Sequence, residues 1–305
     1  MSKSNIQSVT LERLTINKIE HQIYIWGREG LPLLFFIHGW MDSGANFRFL
    51  CEHLQEQYRC IAIDLRGHGQ TEHTSNPLGY YFYEYLDDVH QFFHHYSPQA
   101  PVRVVGHSMG GNIVSLYAGV FPERVKEFIN VEGLGIKEVP GDHGPQRCRE
   151  WLESIHSEHN RLYPTFESYL RNLQRRYPLI QDPVILQSIG ESLIEKKEGG
   201  WALKADLKHT KISPYPFQMQ NIAPFWSAIK ARVLFVQGAH TQMGDWMDNS
   251  HDLEEEVKRR LHFYPPGTQR ILMPECAHMI HYERPYELAQ VIINFLTGKV
   301  LETLD

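Results

Sequence analysis

The sequence predicts an α/β fold in which helices cover a mostly parallel β-sheet. Three observations support that class. Short runs of β-branched and aromatic residues, each closed by Gly, Asp or Pro, alternate with longer amphipathic stretches, as in strand–helix–strand units. One of these runs is apolar without a break, which is typical of a strand buried on both faces. The length of 305 residues, with 42% hydrophobic and 22% charged residues, is that of a globular chain with room for a sizeable core.

The first elements of the chain are two short runs that predict an antiparallel hairpin at a sheet edge, Leu11–Ile16 and Gln22–Trp26. The unbroken apolar run Leu33–His38 follows and is predicted as a buried strand. Two further runs repeat the strand pattern, with an amphipathic stretch between them. They are the strands Ile61–Asp64 and Val102–Gly106, separated by the helix Tyr81–Tyr96.

The alternation continues with the helix Gly110–Phe121 and the strand Val125–Val131. After a long interval it returns with the strands Ala231–Gln237 and Arg270–Met273. The amphipathic stretch Pro285–Leu296 is predicted as the closing helix. Taken in order, these elements predict one sheet whose later strands are joined by helices.

The interval between about Gly135 and Pro224 has a different character, because charged helical stretches such as Arg147–His159 and Phe166–Tyr177 replace the alternation. We expect an inserted helical cap over residues 135–223, on a core of residues 1–134 and 224–305. Bulky aromatic residues accompany the insertion, and they either pack the cap on the sheet or line an apolar pocket beneath it. They are Trp151, Tyr163, Trp201, Tyr215, Phe217 and Trp226.

Charge and apolar patterning exclude several classes of protein. The net charge of −6 and the pI near 6.3 arise without a long block of like charges, so nucleic acid is not expected as a partner. The chain lacks the apolar run of a signal peptide and any transmembrane-length apolar segment. We expect a cytoplasmic protein that does not bind a membrane, as a monomer or homodimer. The four cysteines are far apart, which predicts reduced thiols.

A candidate nucleophile lies directly after the strand that begins at Val102. The motif Gly106-His107-Ser108-Met109-Gly110-Gly111 places a serine where a strand turns sharply into a helix. Such a turn holds the serine in strained backbone geometry with its hydroxyl exposed, and glycines on either side prevent collisions across the turn. Ser108 is therefore the predicted nucleophile.

A serine hydroxyl is a weak nucleophile at its own pKa and needs a base within hydrogen-bond reach. The segment Met273–His278 follows the final strand and places His278 on a loop at the carboxyl edge of the sheet, where ligands bind in such folds. We predict His278 as the general base. Its neighbour His281 is the competing choice, but His281 leads into the last helix.

A third group must orient the imidazole, and two carboxylates are available. Glu132 ends a buried strand, where a carboxylate is costly unless it is paired. Asp245 is the alternative, shortly after Thr241, which occupies a position where many such enzymes carry an aspartate. We favour Glu132. A salt bridge or exposure at the strand end would explain Glu132 without any catalytic role.

The tetrahedral intermediate of acyl transfer needs hydrogen-bond donors for its oxyanion. In this architecture one donor is the backbone N–H after the nucleophile, that of Met109. The second is expected from the loop that begins at His38, where Gly39 permits close approach and Trp40 supplies its N–H. His38 itself is expected to have a structural role.

Four motifs in this order resemble those of the α/β-hydrolases. They are His38-Gly39-Trp40, Asp64-Leu65-Arg66-Gly67-His68-Gly69, the motif around Ser108, and Ala277-His278. The resemblance covers the chain from Leu33 to the last helix. It implies an eight-stranded sheet, a cap inserted after the sixth strand, and no cofactor. We also expect no metal.

Within that family, Val131-Glu132-Gly133 together with Thr241 are similar to the haloalkane dehalogenases that carry their acid after the sixth strand. The nucleophile departs from that group, because dehalogenases and epoxide hydrolases use an aspartate at the elbow. Ser108 therefore favours acyl transfer to water. The cap segment Gly199-Gly200-Trp201 is similar to serine-hydrolase-like proteins.

These residues predict a serine hydrolase, most simply a carboxylesterase that cleaves small or medium apolar acyl esters through an acyl-enzyme on Ser108. A carbon–carbon bond hydrolase of ring-cleavage diketones would use the same triad. A non-catalytic homologue that keeps the fold as a ligand receptor is the third alternative. The three differ in whether an acyl-enzyme forms and on which substrate.

Overall fold

The computed structural model of the chain describes residues 9–156, 162–247 and 252–299. Its strands are β1 (Thr10–Ile16), β2 (Ile19–Trp26), β3 (Leu33–Ile37), β4 (Arg59–Ile63), β5 (Val102–His107), β6 (Val125–Val131), β7 (Ile194–Lys197), β8 (Gly200–Leu203), β9 (Arg232–Gly238) and β10 (Gln269–Met273). Eight of them form one sheet in the order β1-β2-β4-β3-β5-β6-β9-β10. The pairs β1–β2 and β2–β4 are antiparallel and the others are parallel. The predicted fold class is therefore confirmed.

The helices of the same residues are α1 (Arg48–Leu54), α2 (Glu84–Tyr96), α3 (Met109–Val120), α4 (Gly144–Ile155), α5 (Phe166–Arg176), α6 (Pro183–Leu193), α7 (Met219–Ala228), α8 (Met243–Trp246), α9 (Leu253–Leu261), α10 (Ile280–Glu283) and α11 (Pro285–Thr297). Across the three described ranges, no helix has the length and apolar character needed to cross a membrane.

The unbroken apolar run of β3 fills both faces of the sheet. Successive side chains of a strand point to opposite faces. Phe35 and Ile37 accordingly pack in one core cluster, while Leu34 and Phe36 pack in the other. All four side chains are fully buried. A strand in the middle of a covered sheet needs apolar residues at every position, which explains the pattern.

Two layers of helices supply the partners of these faces. The first core cluster contains apolar residues of α2, α3, α7 and α9. The second contains residues of α1 and α11. The sheet is thus enclosed between helical layers, and its carboxyl edge, where the parallel strands end, is left for loops.

The inserted segment contains α4, α5, α6, the β7–β8 hairpin and a short 3-10 helix, Leu207–Thr210. It is therefore not purely helical. Residues 157–159 of the predicted helix Arg147–His159 lie outside the described residues. A third apolar cluster joins the segment to the loop after β10 and to α10, because it combines Tyr169 and Leu173 of α5 with Met279 of the loop and Tyr282 of α10.

The predicted end of the insertion, at residues 223/224, falls inside the helix α7. That helix packs tightly on α3, since a Cβ atom built on Gly119 would lie 2.2 Å from the carbonyl oxygen of Phe225. Trp226 is buried in the main core, whereas Tyr215 is 70% exposed. By its packing, α7 is part of a core layer.

Candidate active site

The turn between β5 and α3 holds Ser108 in an unusual conformation, with φ 51° and ψ −115°. Few L-residues adopt positive φ, so the surrounding structure must impose this geometry. The elbow also depends on close backbone contacts. A Cβ on Gly110 would lie 2.1 Å from the carbonyl oxygen of Ile37, and one on Gly106 would lie 2.8 Å from that of Gly110. Only glycine fits at these positions, as the motif predicts.

His278 lies on the loop between β10 and α10, and its Nε2 atom is 3.0 Å from Oγ of Ser108. The side chain is 13% exposed. The ring of Trp246 meets it edge-on at a centroid distance of 4.7 Å. The structure thus brings the predicted base and the predicted nucleophile together.

Glu132, the first residue after β6, reaches the other nitrogen of the same imidazole. Its Oε2 atom is 3.1 Å from Nδ1 of His278 and accepts a hydrogen bond from the hydroxyl of Thr241. Its Oε1 atom accepts the backbone N–H of Gly238 at 2.7 Å. Both oxygens of this buried carboxylate therefore have donors, which offsets the free-energy cost of its burial.

This set of partners determines how the imidazole carries its proton. A carboxylate only accepts, so Nδ1 of neutral His278 donates to Glu132. The lone pair is then on Nε2 and faces the hydroxyl of Ser108. His278 can therefore accept the hydroxyl proton of Ser108. Asp245 lies exposed on α8. Within the described residues, Glu132 is the carboxylate that contacts His278.

The loop after β3 packs directly on the elbow. A Cβ on Gly39 would lie 2.8 Å from Nδ1 of His107 and 3.2 Å from Cβ of Ser108, so a side chain there would displace the residues of the elbow. Nε2 of His38 accepts the backbone N–H of Leu65 at 2.9 Å, which leaves Nδ1 to donate to the carbonyl of Gly39 at 2.7 Å. This fixes the plane of the peptide group that also carries the N–H of Trp40.

Met109 is the first residue of α3. The N–H groups of a helix's first turn have no acceptor within the helix, and the helix dipole makes this end positive. The N–H of Met109 is therefore suited to an anionic oxygen near Ser108. Trp40 and Met109 thus occupy the loop and the helix start on which the sequence prediction places them.

A cavity of about 350 Å³ lies between the loop after β3 and the inserted segment. Trp40 and Met41 border it on one side, and Met279, the neighbour of His278, borders it on another. Ser108 is not one of its lining residues. The inserted segment supplies an apolar wall composed of Leu173, Ile189, Leu193, Leu203 and Leu207. Of the predicted aromatic residues, Tyr163 lines the cavity.

His209 anchors the inserted segment beside the site. Its ring stacks between those of Tyr80 and His68, at centroid distances of 3.8 and 3.9 Å, and its carbonyl accepts Nε1–H of Trp40 at 3.2 Å. Burial lowers the pKa of His209 to about 3, so the ring is neutral near pH 7. No motif marks His209 in the sequence, and its place beside the site was not predicted.

His281, the competing base, is buried away from the nucleophile. Its Nε2 atom lies 3.5 Å from Oδ2 of Asp42. Oδ1 of Asp42 accepts hydrogen bonds from Asn46 at 2.6 Å and from the hydroxyl of Tyr282 at 2.5 Å. Burial lowers the pKa of His281, although Asp42 opposes that shift. The structure therefore gives His281 a carboxylate partner but no contact with Ser108.

Asp42, His107 and His281 together could hold a metal ion. Each is buried and offers one ligand atom, and these atoms lie within 4.8 Å of one another. Imidazole nitrogens with one carboxylate oxygen are donors that divalent first-row transition metals accept. Across the described residues, Oδ2 of Asp42, Nδ1 of His107 and both nitrogens of His281 have no hydrogen-bond partner. The three residues are far apart in the sequence, so no ligand spacing predicts this cluster.

Comparison with known proteins matches residues 32–285 to the model of a family described as alpha/beta hydrolase fold. A serine hydrolase-like protein of Danio rerio is 22% identical over 280 residues, covering 89% of this chain and 83% of that one. An sn-1-specific diacylglycerol lipase of Mus musculus is 25% identical over 284 residues, covering 88% and 82%. Among solved structures, a thioesterase domain from the curacin biosynthetic pathway has a TM-score of 0.85 at 19% identity, covering 94% and 100%. Because the family match spans most of the sequence, the chain belongs to the α/β-hydrolase family.

Proposed function

We propose that the protein is a serine hydrolase that cleaves carboxylic esters with a small or medium apolar acyl group. One observation carries the proposal: Oγ of Ser108 lies 3.0 Å from Nε2 of His278, whose Nδ1 lies 3.1 Å from Oε2 of Glu132. A serine hydroxyl needs such a base to become reactive, and the base needs a partner that holds its tautomer.

In the first half-reaction, Oγ of Ser108 attacks the ester carbonyl carbon while His278 accepts the hydroxyl proton. Glu132 stabilises the imidazolium that forms. The backbone N–H groups of Trp40 and Met109 donate hydrogen bonds to the oxyanion of the tetrahedral intermediate. When the intermediate collapses, the carbon–oxygen bond to the leaving group breaks, and the imidazolium donates its proton to the departing alkoxide oxygen, which leaves as an alcohol. An acyl ester on Ser108 remains.

In the second half-reaction, water repeats these steps in the place of the serine. His278 removes a proton from the water while the water oxygen attacks the acyl carbon. The new tetrahedral intermediate uses the same oxyanion donors. Collapse releases a carboxylic acid and returns the proton to Oγ of Ser108. The overall reaction consumes one ester and one water and restores the enzyme.

The cavity beside the site supports an apolar acyl substrate. Its volume of about 350 Å³ lies at the lower end of the range for small-molecule pockets. Its apolar wall favours hydrocarbon, and the charged side chains of Asp42 and Arg176 line other parts of the same cavity. The relatives add support for the class of reaction, since one is named a serine hydrolase-like protein and another a diacylglycerol lipase.

Covalent labelling with a fluorophosphonate, followed by peptide mass spectrometry, tests the proposal. We expect the label on the peptide that contains Ser108, together with turnover of p-nitrophenyl esters. Ser108→Ala should abolish both and leave the fold intact. Ser115→Ala is the matched control. Ser115 lies in α3, the helix that follows Ser108, and its hydroxyl is hydrogen-bonded to that of Tyr264 and not to a general base. Unchanged ester turnover in Ser108→Ala would refute the mechanism, and absence of labelling in folded wild type would favour a ligand receptor.

A further inference from the structure

The residue before the nucleophile is a histidine that contacts the loop of the general base. His107 is the last residue of β5 and is 2% exposed. Its Nε2 atom lies 2.9 Å from the backbone carbonyl oxygen of His278. A carbonyl oxygen only accepts hydrogen bonds, so Nε2 of His107 carries a proton and is the donor in this hydrogen bond. The contact joins residues 171 positions apart in the sequence.

This bond has a specific geometric consequence for the site. Glu132 holds the ring of His278, but the carboxylate does not hold the backbone from which that ring extends. His107 does so, and it shares a peptide bond with Ser108. The backbone of the base is thereby tied to the residue next to the nucleophile. We therefore expect a change in the His107 contact to alter the distance between Nε2 of His278 and Oγ of Ser108, which is 3.0 Å.

The other side of the His107 ring is also enclosed. The ring of His281 lies at a centroid distance of 4.4 Å, and His281 is in turn paired with Asp42. The ring is therefore held between the backbone carbonyl of His278 and the ring of His281.

We propose that His107 is a positioning residue, whose bond to the backbone carbonyl of His278 sets the distance between general base and nucleophile. The inference rests on the proposed function, since it concerns the residues of that reaction. His107 is 2% exposed, so we do not expect it to contact the ester. Its effect is therefore on kcat, because a displaced base slows proton transfer without changing how the acyl group binds.

Two substitutions of similar chemistry separate this role from a general need for a polar side chain. His107→Gln places an amide N–H where the imidazole carries Nε2–H, whereas the shorter His107→Asn keeps an amide that does not reach the carbonyl of His278. We expect His107→Asn to lower kcat about 100-fold, with KM within about twofold of wild type. His107→Gln should recover most of that loss. His21→Asn is the control for removal of a buried imidazole, since His21 lies on β2.

A spectroscopic measurement tests the same point without turnover. The Nδ1 proton of His278 is hydrogen-bonded to Glu132 and is expected as a downfield resonance in the proton NMR spectrum. Loss or displacement of this resonance in Glu132→Gln assigns it. The resonance should shift in His107→Asn and stay near its wild-type position in His107→Gln and His21→Asn. A folded His107→Asn protein with wild-type kcat and an unshifted resonance would overturn the proposal. Equal loss of kcat in the Gln and Asn variants would do the same.

Two further results have clear readings. One equivalent of a divalent metal in purified wild type, absent from His107→Gln, would overturn the proposal by making His107 a ligand together with Asp42 and His281. If wild type fails to react with the fluorophosphonate, the proposed function is wrong, and the NMR resonance of His278 still decides whether His107 positions that residue: a shift in His107→Asn supports the positioning role, and an unshifted resonance overturns it. Rapid labelling of wild type and slow labelling of His107→Asn would support both proposals.

Discussion

Oε2 of Glu132 lies 3.1 Å from Nδ1 of His278, although 146 positions separate the two residues in the sequence. The contact follows from the order of the sheet. Glu132 follows β6 and His278 follows β10, with β9 between these strands. Parallel strands end at the same edge, so loops after β6, β9 and β10 meet there. The acid can thus be supplied after β6 while the loop after β9 contributes Thr241.

Substitution of Glu132 should distinguish the two carboxylates that the sequence offers as the triad acid. We expect Glu132→Gln to lower kcat by about ten-thousand-fold, because an amide neither holds the correct tautomer of His278 nor stabilises its charge. Asp245→Asn should stay within about twofold of wild type, since surface changes rarely affect chemistry. Steady-state hydrolysis of a p-nitrophenyl ester measures both. The reverse ranking would assign the acid to Asp245.

The residues of the proposed triad could be predicted from the sequence because each follows a strand with a recognisable pattern. Ser108 stands in a strand–turn–helix motif, and Glu132 is a carboxylate at the end of an apolar strand. Strand order then explains why they lie near each other. Local patterns, together with the rule that parallel strands share a carboxyl edge, are sufficient for this prediction.

Other contacts at the site could not be predicted, because they join residues that no local pattern connects. His209 stacks on His68 and Tyr80 only because the inserted segment folds back over the loop after β4. The pair Asp42 and His281 likewise comes together only in the folded chain. The predicted boundary at residues 223/224 falls inside α7, because the sequence pattern does not show that Pro224 lies inside a helix.

Thr241 should affect both activity and stability through Glu132. The hydroxyl of Thr241 donates to Oε2 of Glu132 and accepts the backbone N–H of Met243 at 3.1 Å. Thr241→Val removes a donor from a buried carboxylate and should lower the free energy of unfolding by about 2 kcal/mol. We also expect kcat to fall about tenfold, because Glu132 loses one of the contacts that orient it. Urea unfolding and ester kinetics measure the two effects.

Thr241→Ser is the matched control, since it keeps the hydroxyl and removes only a methyl group. Its activity should remain near that of wild type. If Thr241→Val keeps its activity and Thr241→Ser loses it, packing of the methyl group matters and the hydrogen bond to Glu132 does not.

The anchor at His209 should make stability depend on pH. The pKa of His209 is about 3 in the folded chain and has the ordinary value of 6.5 when unfolded. Between these values the unfolded chain binds the proton more readily. The stabilising contribution is therefore fully present above pH 6.5 and is lost as the pH falls toward 3, by about 1.4 kcal/mol per pH unit.

His209→Gln isolates this contribution from those of other buried histidines. The free energy of unfolding of the variant should depend less steeply on pH between 6.5 and 4 than that of wild type, by about 1 kcal/mol per unit. Urea titrations at several pH values measure the slopes. Parallel slopes would show that His209 is not the neutral buried ring described above.

The elbow should not tolerate a side chain at Gly110. A methyl group there meets the carbonyl oxygen of Ile37 at 2.1 Å, and a backbone carbonyl cannot move without disturbing β3. We expect Gly110→Ala to lose more than about 3 kcal/mol of unfolding free energy. Gly144→Ala is the control, because nothing lies within 4 Å of its added Cβ. Comparable stability of the two variants in thermal unfolding would contradict the close packing of the elbow.

Filling the cavity should change which esters are hydrolysed. Leu193 of α6 lines the cavity and is 8% exposed, so Leu193→Trp reduces the space for an acyl chain without adding charge. We expect kcat/KM for a p-nitrophenyl octanoate to fall at least about tenfold relative to that for the acetate, because the short acyl group needs little of the cavity. Leu152→Trp is the control, since Leu152 is 48% exposed on α4 and does not line the cavity. If both esters lose activity in proportion, the substitution has disturbed the catalytic residues. If neither ester is affected, the acyl group binds elsewhere, and the cavity has to be assigned to the leaving alcohol or to no part of the substrate.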